Sequence, residues 1–295
     1  MGYLFLSISL LAGATKGYCG KKMGDFAANV QSAALLNLVR MILCTGLGML
    51  VVFAYKHTSY LTLNTTVIAI SAISGISTSA FVITWLVSVR KSAYMMLDIF
   101  LMLGTLVPMI SGYFAFGESI TLNQWIGFFV LVLAVIIMCS YNNSIKTKLR
   151  LSSFLLLVLC GLANGITDFS QKMFVKMIPQ VPISIFNLYS YIFAAITLAV
   201  VYAVIAPKDK AHFDKSLCGK YMYIVIMSVM LIANSYFKTK AATHLDSAQL
   251  YPLNQGMALI LSTLMASVFF KEKLTLKCVV GIFIAFIGLI VMNVL

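Results

Sequence analysis

Apolar residues in this chain come in long runs broken by short clusters of charge. The runs number ten, at residues 3–22, 32–54, 66–88, 93–115, 122–141, 152–175, 183–206, 221–242, 247–269 and 274–294. A helix needs roughly 20 mainly apolar residues to cross the hydrocarbon of a bilayer. Each run therefore predicts one spanning helix, and the expected fold is an all-α polytopic membrane protein of ten transmembrane helices. The breaks fall at Lys21-Lys22, Lys56-His57, Arg90-Lys91, Glu118, Lys146 to Arg150, Pro179 to Pro182, Pro207 to Lys220, His244 to Asp246 and Lys271 to Lys273.

The pattern repeats. Phe116 to Met138 and Phe270 to Met292 align without a gap and share eight of twenty-three residues. Apolar bias alone matches Leu, Ile and Phe, but it does not readily match Glu118 with Glu272, Thr121 with Thr275 and Gly127 with Gly281 in one register. Leu11-Ala12 recurs as Leu162-Ala163 and Asn37-Leu38 as Asn187-Leu188. The halves are thus 1–141 and 151–295, each carrying five spans. An odd number of spans per half turns the second half upside down, which is the inverted repeat of many secondary transporters.

Composition rules out a soluble protein. Hydrophobic residues make up 61% of the chain and charged residues 10%, far from the balance of a soluble domain. The net charge of +13 does not point to nucleic acid, because the bases sit in the turns between apolar runs, as in cytoplasmic membrane loops. The six Cys lie scattered in apolar spans with no CxxC or Cys/His spacing, so neither a disulfide framework, a metal site nor a bound cofactor is expected. His57, His212 and His244 are isolated and no nucleophile–base set stands out, which argues against an enzyme.

At this point the chain resembles the drug/metabolite transporter superfamily, in particular its ten-helix EamA-like family. The resemblance is carried by Phe116-Gly117-Glu118 and Phe270-Lys271-Glu272, each followed by Thr-Leu and a Gly-bearing last helix, and by Arg40 in the second span. It implies secondary transport through a central cavity lined by spans 1, 3, 4, 6, 8 and 9. The related four-helix multidrug pumps carry a glutamate in their first span. Here that span has Lys16 and no acid, so their proton/cation exchange does not carry over.

An ionisable residue in hydrocarbon costs about 2.5–3.5 kcal/mol on insertion scales, so each one asks for a reason. Gly161, Asn164, Asp168 and Gln171 share one face of the sixth span by helical spacing. Depth counted along the helices puts Lys16, Arg40 and Asp98 in one layer toward the cytoplasm, and Asp168 with Lys238 in another toward the outside. Asp98 is expected to pair with Lys16 or Arg40, and Asp168 with Lys238, either as structural ties or as gates. The alternative for Lys16 is that it snorkels to the headgroups beside Lys21 and Lys22. The ninth span adds Tyr251, Asn254 and Gln255, behind a helix start weakened by Pro252. The candidate substrate ligands are Lys16, Asn164, Asp168, Lys238, Tyr251, Asn254 and Gln255, with Arg40 and Asp98 as gating or ion-pair residues. Glu118 and Glu272 are expected to make helix-end contacts.

The function expected is alternating-access transport of a small polar or amphipathic metabolite, like an amino acid or organic acid, in the export direction. The setting is the plasma membrane, of the bacterial inner-membrane type, with the bilayer as partner and a proton as the candidate coupling ion. The alternatives are a multidrug or cation exporter and a non-transporting membrane protein. Fourteen Lys and Arg lie in the odd-numbered turns and five in the even-numbered ones, which puts the odd turns in the cytoplasm and both termini outside. A cysteine placed at Lys148 in a background free of native cysteines should therefore resist an impermeant thiol reagent in intact cells. Labelling from outside would reverse the orientation.

Overall fold

The computed structural model describes residues 1–24, 30–61, 64–90, 94–139, 151–205, 221–270 and 276–293. Among them every regular element is a helix. In order these are α1 (Gly2–Gly24), α2 (Val30–Ala54), a 3-10 turn (His57–Tyr60), α3 (Thr65–Arg90), α4 (Tyr94–Gly104), α5 (Leu106–Phe116), α6 (Leu122–Cys139), α7 (Leu151–Met177), α8 (Ile183–Ile205), α9 (Tyr221–Ala241), α10 (Ser247–Phe270) and α11 (Leu276–Asn293). Six of the described helices, α2, α3 and α7 to α10, are long and apolar enough to cross a membrane. Shorter apolar helices cover Phe100–Phe116, Leu122–Ile137 and Val279–Asn293.

The fourth predicted span is not one helix. It divides at Thr105 into α4 and α5, and the reason lies three residues on. Pro108 has no N–H to offer the Gly104 carbonyl and its ring crowds that turn. The chain restarts with Pro108 in the first turn of α5, where the missing N–H costs nothing. Thr105 closes the break by donating its hydroxyl to the Met102 carbonyl at 2.7 Å. Pro252, by contrast, stays inside α10.

Sequence also sets the end of α5 and the start of α6. Gly117 takes a left-handed conformation, φ 64°, that stops α5. Four residues later Thr121 and Gln124 cap α6 reciprocally. The Gln124 N–H reaches the Thr121 hydroxyl at 3.3 Å, and the Thr121 N–H reaches the Gln124 side-chain oxygen at 3.0 Å. This tight turn is what holds Glu118 in place.

Packing runs across the sequence as much as along it. α1 lies along α9, α3 along α7 and α8, α2 along α8 and α9, α4 and α5 along α7, and α6 along α11. Outward faces are apolar: Leu155, Leu159, Leu162 and Ile166 on α7, Phe129 and Leu133 on α6, Phe283 and Ile287 on α11 are all exposed. Such a belt belongs in lipid, where each helix satisfies its own backbone.

A close helix crossing is made by glycines. The Gly104 carbonyl, freed by Pro108, abuts the Cα of Gly165, and the Phe100 carbonyl abuts Gly161. A Cβ at either α7 glycine would overlap those backbone oxygens. Small residues bring membrane helices to this distance, and the Cα–H···O contacts they allow add to the packing. Gly161→Ala is expected to cost at least the roughly 1–3 kcal/mol of ordinary overpacking. Gly46→Ala, where the added carbon meets nothing within 4 Å, should leave stability unchanged or higher. Thermal unfolding in detergent compares the two, and equal stability would remove the crossing from the fold's supports.

Candidate functional site

α7 carries a polar face into the bundle. Asp168 is 2% exposed and its carboxylate pairs with the Lys238 ammonium of α9. Tyr251 of α10 is wholly buried and donates its hydroxyl to the Asp168 backbone carbonyl at 2.7 Å. Tyr251 therefore ties α10 to α7 at the level of the pair. Lys16 of α1 is deeply enclosed yet keeps accessible surface, and the charges of Arg40, Lys238 and Asp168 all reach it. Four helices thus bring Lys16, Asp168, Lys238 and Tyr251 into one neighbourhood.

The other candidates are distributed around this centre. Asn164, Asn254 and Gln255 are half-buried, and the Asn254 side-chain oxygen has no hydrogen-bond partner. The Gln171 side-chain oxygen is likewise unpartnered. Arg40 is 6% exposed beside Cys44 and Tyr191, away from any carboxylate pair among the described residues. The Asp98 side chain lies outside the described residues, and so does its expected pairing with Lys16 or Arg40.

Several polar residues of the centre were not singled out from sequence. Asn234 of α9 donates to the Ser9 carbonyl at 2.8 Å and accepts the Ser9 hydroxyl on its own carbonyl at 3.0 Å. A carbon added at Gly13 would stand 3.0 Å from the Asn234 amide, so the missing side chain at Gly13 leaves the room that Asn234 occupies. Ser235 donates to Asn187 of α8 at 2.9 Å. Asn187 left a signal in the sequence as the repeat of Asn37, and Ser9 shares by helical spacing the face of α1 that carries Gly13 and Lys16.

A second ionic cluster lies at the end of the bundle where α5 stops. Glu118 pairs with Lys172 of α7 at 2.7 Å, with both side chains almost fully buried. Its other oxygen accepts the Ser247 N–H at the start of α10 at 2.8 Å. Lys172 also donates to the carbonyls of Leu245 at 2.6 Å and Ala242 at 3.3 Å. Burial pulls the Glu118 carboxyl up, but the Lys172 ammonium and the Ser247 N–H outweigh it and hold it below the usual carboxylate value. The α5–α6 turn, α7, and the turn into α10 are thereby fastened together.

The profile of the EamA-like transporter family matches residues 151–294, the helices α7 to α11. That half of the chain belongs to the EamA-like family. The family lies within the drug/metabolite transporter superfamily, whose members are membrane transporters. A solved structure titled only "Crystal structure of protein" has a TM-score of 0.77 to this chain at 13% identity, covering 99% of this chain and 96% of that one. At that identity the likeness speaks for the fold alone, and it extends to the helices before the EamA match. No curated protein matches the chain.

Glu118→Gln keeps the shape of the turn and leaves Lys172 charged in a buried site. Removing one member of a buried pair costs about 3–5 kcal/mol, whereas replacing both by apolar residues is often near neutral. Glu118→Gln is therefore expected to lower the unfolding temperature in detergent well below that of Glu118→Leu combined with Lys172→Met. A single variant as stable as the parent would mean the cluster does not fasten this end.

Proposed function

We propose that the protein is a secondary transporter that moves a small polar or amphipathic metabolite, of amino-acid or organic-acid type, across a plasma membrane by alternating access. Export across a bacterial-type inner membrane is the direction and setting we favour. The observation that carries this reading is the buried Asp168–Lys238 pair, set among Lys16, Tyr251 and half-buried amides on α1, α7, α9 and α10. Charges so expensive in hydrocarbon mark a path for a polar substrate more often than they serve packing.

The arrangement proposed is two inverted five-helix repeats, 1–141 and 151–295. Exchanging them turns α1 into α7, α2 into α8, α3 into α9, α4–α5 into α10 and α6 into α11. Under that exchange the α1–α9 packing becomes α7–α3, and α2–α9 becomes α8–α3. The α1–α10 packing becomes α7 on α4–α5, while α2–α8 and α6–α11 return to themselves. Packing that maps onto itself in this way supports a pseudo-two-fold axis in the membrane plane, with the substrate site near the midplane. In that frame Glu118–Lys172 joins the two repeats at one end, and it has to part when that end opens.

Uptake into vesicles of a panel of labelled amino acids, organic acids and cationic dyes tests the reading. Within it the Asp168–Lys238 pair makes a sharp expectation. Asp168→Asn strands Lys238 and Lys238→Met strands Asp168, each at a cost of about 3–5 kcal/mol, whereas the double variant recovers most of that stability. Uptake should remain lost in the double variant if the pair also meets substrate or gates the path. Full uptake in the double variant would reduce the pair to scaffolding, and no uptake of any panel member by the parent protein would sink the transport reading.

A further inference from the structure

Most buried polar groups of this bundle have partners, and the Arg40 Nε has none among the described residues. Its side chain is 6% exposed, its Nε is unpartnered, and no carboxylate among the described residues pairs with its guanidinium. The neighbouring groups that interact with it electrostatically are Cys44 and Tyr191, neither of them a carboxylate. Its backbone is accounted for, since the Ser228 hydroxyl reaches the Arg40 carbonyl at 3.4 Å. The Tyr191 hydroxyl, 4% exposed on α8, stands near Ser235 and also has no hydrogen-bond partner of ordinary geometry. Ser235 in turn donates to Asn187 and does not compensate the guanidinium.

Lys16 completes the pattern. It feels Arg40 and Lys238 as like charges and Asp168 as its one opposite charge. Asp168 is already taken by Lys238. Among the described residues Lys16 therefore has only a carboxylate already paired elsewhere, and Arg40 has none, in a setting where buried charge is stable only when compensated. Buried polar groups in native proteins are almost always bonded, to protein, water or ligand. What this group lacks among the described residues is an anion.

We propose that Arg40, with Tyr191 and Lys16, is the seat for a carboxylate of the substrate. A guanidinium offers two parallel N–H donors that match the two oxygens of a carboxylate. The Tyr191 hydroxyl supplies a further donor to the same group, and Lys16 adds charge without fixed geometry. The proposal rests on the transport reading and narrows its substrate to molecules with a free carboxylate. It also gives Arg40, Tyr191 and Lys16 a common role. A cationic substrate meets two uncompensated positive charges here and is excluded.

The test uses the full chain purified in detergent, with thermal unfolding as readout and acetate replacing chloride at constant sodium. Acetate should raise the unfolding temperature of the parent protein in a saturable way, as a ligand of the folded state does. Arg40→Met should lose that rise while being as stable as the parent, or more so, in chloride, because it removes an uncompensated charge. General salt effects act on both proteins and cancel in the comparison. Tyr191→Phe, which keeps the ring and its packing, should weaken the acetate response about tenfold, the worth of one hydrogen bond to a charged group. A parent indifferent to acetate overturns the seat, as does an equal acetate response in Arg40→Met. Basal collapse of Arg40→Met together with an unaltered response in Tyr191→Phe makes Arg40 structural and also overturns it. A larger effect of phosphate than of acetate assigns the group to another oxyanion and overturns the carboxylate.

Vesicle uptake separates this from the wider reading. Transport of cationic dyes alone, undiminished in Arg40→Met, removes the seat and leaves the transporter. An acetate response lost in Arg40→Met, with no uptake of any panel member by the parent, keeps the seat and removes the transporter.

Discussion

A charged side chain in hydrocarbon has to be matched by another, and α7 is the helix on which this protein does the matching. Asp168 and Lys172 stand four residues apart on it, one turn along the same face, with opposite sign. Asp168 reaches sideways to Lys238 on α9, and Lys172 reaches up to Glu118 and the carbonyls before α10. Displacing α7 by even part of a turn breaks both. One to two turns earlier on the same face, Gly161 and Gly165 meet the Phe100 and Gly104 carbonyls in close backbone contact. α7 is thus fixed along a single face, by glycine contact in its middle and by charge toward its end.

The two pairs differ in what they join. Asp168 and Lys238 both belong to the second half of the chain, whereas Glu118 belongs to the first and Lys172 to the second. In a mechanism where the halves rock against each other, the first pair travels as part of a rigid unit. The second has to break and re-form. Its construction suits that use, because Lys172 keeps the Leu245 and Ala242 carbonyls when Glu118 leaves. Those carbonyls lower, without removing, the cost of the unpaired ammonium.

Much of this was legible in the sequence, for reasons that differ from residue to residue. The helices followed from run length, since a bilayer leaves the chain few alternatives. The ionic partnership of Asp168 and Lys238 followed from depth, because opposite charges at one level in hydrocarbon have little else to bind. The same reasoning reaches Lys172 and Glu118, but Lys172 reads in sequence as one more turn base and Glu118 as a helix-end contact. What the pattern does not carry is rotation about each helix axis. Tyr251 shares a face with Gln255 by spacing, yet its hydroxyl is committed to the Asp168 backbone. Asn234 faces inward only because Gly13 leaves room for it. The break at Thr105 hides for a related reason, because Pro108 is tolerated both in a kinked span and at the start of a new helix.

The electrostatics of the centre give the unliganded and the loaded interior different costs. With Asp168 spent on Lys238, closing the bundle around Lys16 and Arg40 strips water from two positive charges that lack a counter-ion among the described residues. Desolvating such charges costs several kcal/mol each when nothing replaces the water. A carboxylate seated on Arg40 replaces it with donors already held in place, and the like-charge repulsion between Arg40 and Lys16 turns into shared attraction. A ligand shifts an equilibrium only by its difference in affinity between two states. Under the proposed seat, an occluded state that is costly when empty and relieved when filled supplies that difference directly, so the pair proposed to select the substrate would also favour closure with it aboard.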